Sequence, residues 1–302
     1  MLSRRILRVK TFKMIYALTE NPEMSLKEVE KGLERSCEAT RDLYLFLLAL
    51  TEPLTAEAAS RIEASRTKFS ATDEERNPNL KFLHNRIPVL FAEDPDFQRI
   101  IKKKKLNWQP FDAFLRHFYE EVRTQEWFLS YMHSGEDSLQ EDAALWSHIF
   151  AQLEDNPELD AILEDLSMNW SDELPYVLRF TIKTMQQLGT GKAWSLPPLY
   201  KSEMDERPSA ESDRDFIHKL LRQAVRGIDS YKQRLAEHTQ KWKLDRICAT
   251  DLALIVCGIA EAEAFPGTPR NIIINEYVEI SKYYSTPESS AFVNGLLDKL
   301  LQ

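Results

Sequence analysis

Catalysis needs groups that can converge in the right protonation states, and this chain offers few. Its six histidines (His84, His117, His133, His148, His218, His238) are scattered, with no i,i+4 pair and no adjacent carboxylate motif of the kind that holds zinc. There is no G-x-S-x-G, no catalytic cysteine context and no dinucleotide fingerprint. Gly189–Trp194 reads GTGKAW and sets a lysine after a glycine. It lacks the first glycine of a phosphate loop, and Ala193 stands where a Ser or Thr would meet the metal. Neither a cofactor nor a metal ligand set is expected, and the chain reads as a non-enzyme. Cys37, Cys248 and Cys257 form no C-x-x-C spacing, which suits plain buried thiols in a reduced, cytoplasmic setting. The chemistry that the residues do suggest is binding.

Arg4 and Arg8 lie one turn apart in a segment, Ser3–Thr19, that reads as a helix with Ser3 as N-cap and Ile6, Val9, Phe12 and Tyr16 along one face. Arg5 flanks them, and Lys10 and Lys13 follow. Planar guanidinium forks suit a phosphate backbone, because each takes two oxygens and releases counterions. Positive charge is the wrong sign for a helix N-terminus, so local helix stability does not explain these side chains. A solvated helix end is the equally simple alternative. The net charge of −9 does not argue against an anionic partner. Between Ser134 and Glu173 stand twelve acidic residues and no Lys or Arg, whereas the first nineteen residues carry five basic side chains and no acid. Screening makes local sign matter more than the total.

The elements that must position these groups read as helices throughout. Gly is scarce and the apolar spacing is helical. Ser25-Leu26-Lys27-Glu28 has capping-box form and opens a helix carried to about Leu50. Pro53 interrupts, Ala56–Phe69 resumes, and Thr72–Asn79 reads as a loop. Leu80–Leu129 reads as short helices punctuated by Pro88, Pro95 and Pro110. Lys102–Lys105, beside Arg99, fits a solvated helix face or an auxiliary RNA contact. Phe111, Phe114, Leu115 and Phe118 form a core stripe. Leu145–Met185 echoes Phe216–Val256, with Trp170 and Trp242 at the same offset, as an internal repeat or as two similar helical pairs would. After a linker come helices at Arg214–Val225, Ile228–Gln240 and Leu244–Ala262. The last of these is apolar on a wide face including Cys248, with Trp242 plugging the bundle end. Two more helices follow, with N-caps expected at Asn271 and at Thr286 before Pro287. The longest apolar run, Leu43–Leu50, is far short of the about 20 residues of a membrane span. The charges that continue past Arg4 and Arg5 leave no signal-peptide core.

Three stretches carry a family resemblance: WKLDR (Trp242–Arg246), INEYVEISKYYSTPES (Ile274–Ser289) and FVNGLLDK (Phe292–Lys299). With the helix after WKLDR, they make roughly residues 213–300 resemble the NusB family of transcription antitermination factors, whose own pattern is close to INEAVELAKKFG followed by FVNGVLDK. Arg4, Arg5, Arg8 and Tyr16 fit that family's Arg-rich first helix. Val9 stands where an acid is usual, and Ile6 replaces an arginine. Residues from about Ala56 to Arg207 have no counterpart in compact members. The expected division is therefore 1–70 as an N-terminal helical part, 71–208 as a helical insertion and 209–302 as the NusB-like bundle.

The resemblance implies an all-α protein of two helical subdomains. It also implies RNA-binding antitermination together with NusE, a ribosomal protein (S-ten) of the small subunit, on the boxA element of ribosomal RNA transcripts, within the RNA polymerase antitermination complex and not at a membrane. Carried across, Arg4, Arg5 and Arg8 would meet phosphates, Glu288, Ser289, Ser290, Phe292 and Asn294 would face unpaired bases, and Lys10 and Tyr16 would join the RNA-binding set. Each has a structural alternative. Phe292 fits the core, Asn294 can bond a neighbouring helix, and Tyr16 can bury its ring and expose its hydroxyl. Glu288 favours the helix dipole but repels phosphate, and so would tune affinity. Mid-helix Gly295 is expected to mark a close helix–helix approach. The rival reading is a helical protein–protein adaptor without RNA binding.

Overall fold

The computed structural model describes residues 1–204, 212–238 and 247–302. In chain order its α-helices are α1 (Arg4–Glu20), α2 (Leu26–Leu48), α3 (Thr51–Arg66), α4 (Asp73–Arg76), α5 (Arg86–Glu93), α6 (Pro95–Lys104), α7 (Asp112–Arg123), α8 (Glu126–His133), α9 (Leu139–Ala151), α10 (Pro157–Leu166), α11 (Leu174–Gly189), α12 (Asp213–His238), α13 (Ala249–Ala264), α14 (Arg270–Tyr284) and α15 (Ser289–Leu300). Among the described residues the only β contact is an isolated parallel bridge between Leu2 and Tyr200, so the fold is all-α. No described helix is long and apolar enough to cross a membrane. Trp242–Arg246, including the expected plug Trp242 and the expected helix start Leu244, lies outside the described residues.

Contacts divide the chain into one unit of Met1–Glu38 with Pro198–Gln302 and another of Ala39–Pro197. These limits differ from the sequence-based 70/71 and 208/209, because the first unit joins both ends of the chain. Leu2 N–H donates to Leu199 O at 2.8 Å, Lys201 N–H donates to Leu2 O at 3.1 Å, and the Met1 ammonium reaches Pro198 O at 2.8 Å. That short pairing stitches the segment entering the C-terminal helices to the start of α1.

In the first unit α13 is buried without a break from Asp251 to Glu261, as its wide apolar face predicts, and Glu263 near its end is exposed. Helices α1, α12, α14 and α15 pack against it. The core face of α1 is Leu7, Thr11, Phe12, Ile15 and Leu18, while Ile6 and Val9 are only half buried and Tyr16 is exposed. The expected face was rotated, because Arg8, Lys10 and Thr11 count as polar in a pattern yet all point inward. The two helices expected at Arg214–Val225 and Ile228–Gln240 are one continuous α12. Gly227 is tolerated inside it at a cost near 1 kcal/mol. It also makes room for the Tyr231 ring, which a Cβ there would approach to 2.3 Å. Cys248 is exposed as the N-cap of α13, whereas Cys37 and Cys257 are buried. Helix α14 begins at Arg270 with Pro269 as N-cap, and α15 at Ser289 after Glu288, so neither Asn271 nor Thr286 caps.

The second unit is built on aromatic side chains whose polar atoms are satisfied. Trp108 stacks on Phe46 at 4.2 Å between ring centroids and donates its indole N–H to Phe46 O at 2.8 Å. The Trp170 indole donates to Ala39 O at 2.8 Å, and that of Trp146 to Asn85 Oδ1 at 3.1 Å. Phe114, Leu115 and Phe118 are core, as their stripe predicts. Thr72–Asn79 is not simply a loop, because Thr72 and Glu75 form a reciprocal capping box around the single turn α4. Pro53 sits in the first turn of α3 and does not interrupt it. In the compared stretches Leu145, Ile149 and Leu153 are buried in the second unit, and Ile217 and Leu221 in the first.

Gly295 does not mark a close approach. A Cβ there would meet nothing within 4 Å, whereas one on Gly258 of α13 would lie 2.7 Å from a methyl of the buried Leu297 of α15. The close approach between those helices is therefore made at Gly258. We expect Gly295→Ala to stabilise the chain by up to about 1 kcal/mol through helix propensity. Gly258→Ala should cost about 1–3 kcal/mol by overpacking. Urea denaturation of the two variants checks both signs.

Candidate nucleic-acid interface

The N-terminal arginines are brought together, and each meets a carboxylate of the first unit. Arg4 Nε donates to Asp213 Oδ1 at 3.1 Å, at the start of α12, with its guanidinium 4.7 Å from the centre of the Phe216 ring. Arg5 donates through Nε and Nη2 to the two oxygens of Glu276 at 2.9 and 2.8 Å. Arg8 is buried. Its Nε and Nη2 grip Glu261 at 2.8 and 2.6 Å, and its Nη1 lies 3.5 Å from Glu276. Glu261 is fully buried and also accepts from the Tyr277 hydroxyl at 2.9 Å.

Burial opposes the charge on Arg8, but its hydrogen bonds to Glu261 together with the attraction of that carboxylate and of Glu276 outweigh burial and raise its pKa above the ordinary value. Burial, reinforced by Glu261, pushes the Tyr277 phenol well up, so it stays a neutral donor. Hydrogen bonding from Arg5 holds Glu276 below the usual carboxylate range. Lys10 is also wholly buried, with Nζ donating to Ser36 O at 2.7 Å and to Ser36 Oγ at 3.2 Å. Of the basic candidates, Arg4 and Arg5 keep much of their side chains in solvent (40% and 55%), and Arg8 and Lys10 do not.

The residues of the α14–α15 turn divide in the same way. Ser289 is buried and its hydroxyl donates to Asp251 Oδ2 at 2.8 Å, while Ser285 Oγ donates to Asp251 Oδ1 at 2.7 Å. Thr250 and Thr286 hydroxyls join the cluster at 2.9 and 3.0 Å. Ser289 is thus part of the clamp that shapes the turn. Around it Glu288 and Asn294 are exposed, and Ser290 and Phe292 are half buried. Tyr16 is 37% exposed.

The two groups do not converge on one point. Arg8 engages α13 at Glu261, and the turn engages it at Asp251, ten residues and so about 15 Å along the helix axis. Between them Phe12 packs on Tyr284 with ring centroids 5.5 Å apart, and Lys13 lies over the Tyr284 ring at 5.5 Å. The arrangement is a strip, with arginines towards one end and the Ser285–Ser290 turn towards the other. Such a shape suits an extended strand more than a compact ligand.

Pattern reasoning missed the acidic partners Asp213, Glu261 and Glu276 and the clamp residue Asp251. A signal for two of them was present. Asp251 and Glu261 are acids inside the most apolar helix of the chain, where a carboxylate persists only if it is paired or hydrogen-bonded.

The NusB family model matches residues 181–302. Transcription antitermination protein NusB of Myxococcus xanthus (strain DK1622) is 36% identical over 129 residues, which are 37% of this chain and 91% of that protein. The protein of the same name from Salinibacter ruber (strain DSM 13855 / M31) is 31% identical over 121 residues, 40% of this chain and 74% of that protein. That of Chloroherpeton thalassium (strain ATCC 35110 / GB-78) is 39% identical over 85 residues, 28% and 40% respectively. No solved structure matches this chain.

Removing one partner of a buried ion pair leaves the other uncompensated, so Arg8→Ala should cost about 3–5 kcal/mol. Arg5→Ala, at an exposed pair, should cost no more than about 1 kcal/mol. Chemical denaturation separates the two. Because the Glu276 pKa is depressed on folding, its pairing stabilises above the ordinary carboxylate value near 4.5 and is lost as pH falls through the folded value. Glu276→Gln should therefore lower stability at neutral pH and flatten its decline in acid, as read by melting temperature against pH.

Proposed function

Since this chain belongs to the NusB family, we propose that it is an RNA-binding transcription antitermination factor acting in the cytoplasm with NusE on boxA-type RNA of ribosomal RNA transcripts. In this reading it is a non-catalytic member of the RNA polymerase antitermination complex. The observation that carries the reading is the strip itself. After the buried groups are set aside, Arg4 and Arg5 remain accessible along it together with Tyr16, Glu288, Ser290, Phe292 and Asn294.

In this reading the arginines place phosphates and the turn meets unpaired bases. Glu276 occupies only the Nε–Nη2 edge of Arg5, which orients the guanidinium without using its remaining N–H donors. Asn294 can hydrogen-bond a base edge and Phe292 can offer part of its ring for stacking. Glu288, unpaired with any cation among the described residues, moderates phosphate affinity beside them. Arg8, Lys10 and Ser289 act indirectly, by holding α1 and the turn in place.

The occupied arginine edges also favour a second reading, a helical adaptor that binds a protein partner and no RNA. Fluorescence anisotropy with boxA and scrambled RNA, with and without NusE, across a salt series, decides between them. We expect preference for boxA that NusE strengthens. Arg4→Ala/Arg5→Ala should reduce the slope of log affinity against log salt by about 1 to 1.5, from about 0.7 per phosphate lost on a single strand. Asn294→Ala should weaken the boxA preference and leave the slope alone. Equal affinity for the two RNAs, or an unchanged slope in the arginine variant, would sink this surface. NusE binding without any RNA binding would establish the adaptor.

A further inference from the structure

The Lys102–Lys105 run lies in the second unit, outside the strip. Lys102–Lys104 occupy the last turn of α6, where cations complement the helix dipole, and Lys104 pairs with Asp42 at 2.5 Å. That accounts for three of the four. Lys105 is different. It takes the left-handed conformation after the helix (φ 57°, ψ 35°), the position where glycine is the ordinary choice because a Cβ costs backbone energy there. The peptide N–H groups of Lys105 and Leu106 close the helix end by donating back, Leu106 N–H to Ile101 O at 3.0 Å. A glycine would serve that closure better, so the side chain at 105 calls for another reason.

The same turn forms one wall of a cleft of about 590 Å³. Leu106 and part of Trp108 line it from the α6–α7 connection, Pro53 and Ala56 from α3, and the amides of Asn107 and Gln109 lie at its edge. Glu52, Glu57 and Asp112 add carboxylates to the lining, of which Glu57 is paired with Arg61 at 2.6 Å and Asp112 with Arg116 at 3.1 Å. Lys102, Lys103 and Lys105 are exposed and flank the lining residues Ile101 and Leu106 in sequence. Apolar walls of this size admit a planar ring. The amides and the Glu52 carboxylate can accept N–H groups from a base edge. Lys102, Lys103 and Lys105, exposed and next in sequence to the lining, can supply the charge that a sugar–phosphate backbone requires, a combination found where single strands are held by stacking and cationic contacts.

We propose that this cleft and its lysine lip form a second single-stranded RNA contact, in which one unpaired base enters between Ala56 and Leu106 while Lys102, Lys103 and Lys105 meet the flanking phosphates. The contact lies in a unit that the family model does not reach except at its end. It rests on the chain being an RNA-binding protein, though not on the boxA strip. Lys105 trades backbone stability for a charge at the lip.

Binding of a short unstructured oligouridine to the full chain tests this, because that probe carries no boxA sequence. The native chain should bind it. Lys102→Gln/Lys103→Gln/Lys105→Gly should weaken binding about tenfold at low salt and reduce the salt slope by about 2, as expected for three phosphates. Ala56→Phe, which fills the cleft, should weaken binding about fivefold or more with the slope unchanged. Lys105→Gly alone should raise the melting temperature and lower the affinity, two opposite changes that loss of folding cannot mimic. No oligouridine binding by the native chain, or equal binding by all variants, overturns the proposal. So does binding of anionic phosphatidylglycerol vesicles that the triple lysine variant loses while RNA binding stays, which would assign the lysines to lipid. A native chain that binds oligouridine through this cleft but does not prefer boxA would leave this contact standing and remove the strip.

Discussion

The first unit depends on one buried ion pair. Glu261 has no access to water, and its charge is tolerable only because Arg8 brings a two-pronged guanidinium and Tyr277 a hydroxyl to it. Arg8 is itself buried beside the Phe216 ring, 5.4 Å from its centre, so α1, α12, α13 and α14 all contribute to one polar point inside the core. Apolar contacts alone would let α1 slide or rotate against α13. A pair whose separation leaves a bare charge in the core fixes both, and so sets where Arg4 and Arg5 emerge.

The second polar point lies ten residues away on the same helix. There Asp251 gathers the hydroxyls of Ser285 and Ser289 and fixes the turn between α14 and α15. Helix α13 thus works as a ruler with a carboxylate near each end. One end sets the register of the arginine helix and the other sets the shape of the turn. The candidate RNA contacts are the residues just outside these two anchors, which is why residues of similar type fall on both sides of the divide. Arg5 is exposed and Arg8 is structural, and likewise Ser290 is only half buried while Ser289 is spent in the clamp.

The second unit answers the same problem differently. Its core is rich in Trp and Phe, and each buried indole donates to a backbone or amide oxygen close at hand. Its charges lie mostly on the surface in short-range pairs such as Arg61 with Glu57 at 2.6 Å and Glu120. Pairs of that kind contribute little to stability, which leaves the surface of this unit free to vary and the Lys105 turn open to a binding role.

Much of this was legible in the amino-acid sequence. Helical spacing, scarce glycine and the capping box at Ser25–Glu28 determined the all-α class and most helices, because those signals are local and act within a few residues. The terminal motif around Phe292–Lys299 and the arginines at Arg4–Arg8 identified the family. Only the tertiary structure decided which of those arginines faces water, that Lys10 and Ser289 are spent inside, that Gly295 is open while Gly258 is tight, and that the two ends of the chain share one unit. Each of those outcomes turns on a partner far away in sequence: Glu261 for Arg8, Asp251 for Ser289, Leu297 for Gly258, Leu199 for Leu2. Residue type states what a side chain can do, but burial and pairing across the fold determine whether that capacity is used in the core or offered to a ligand.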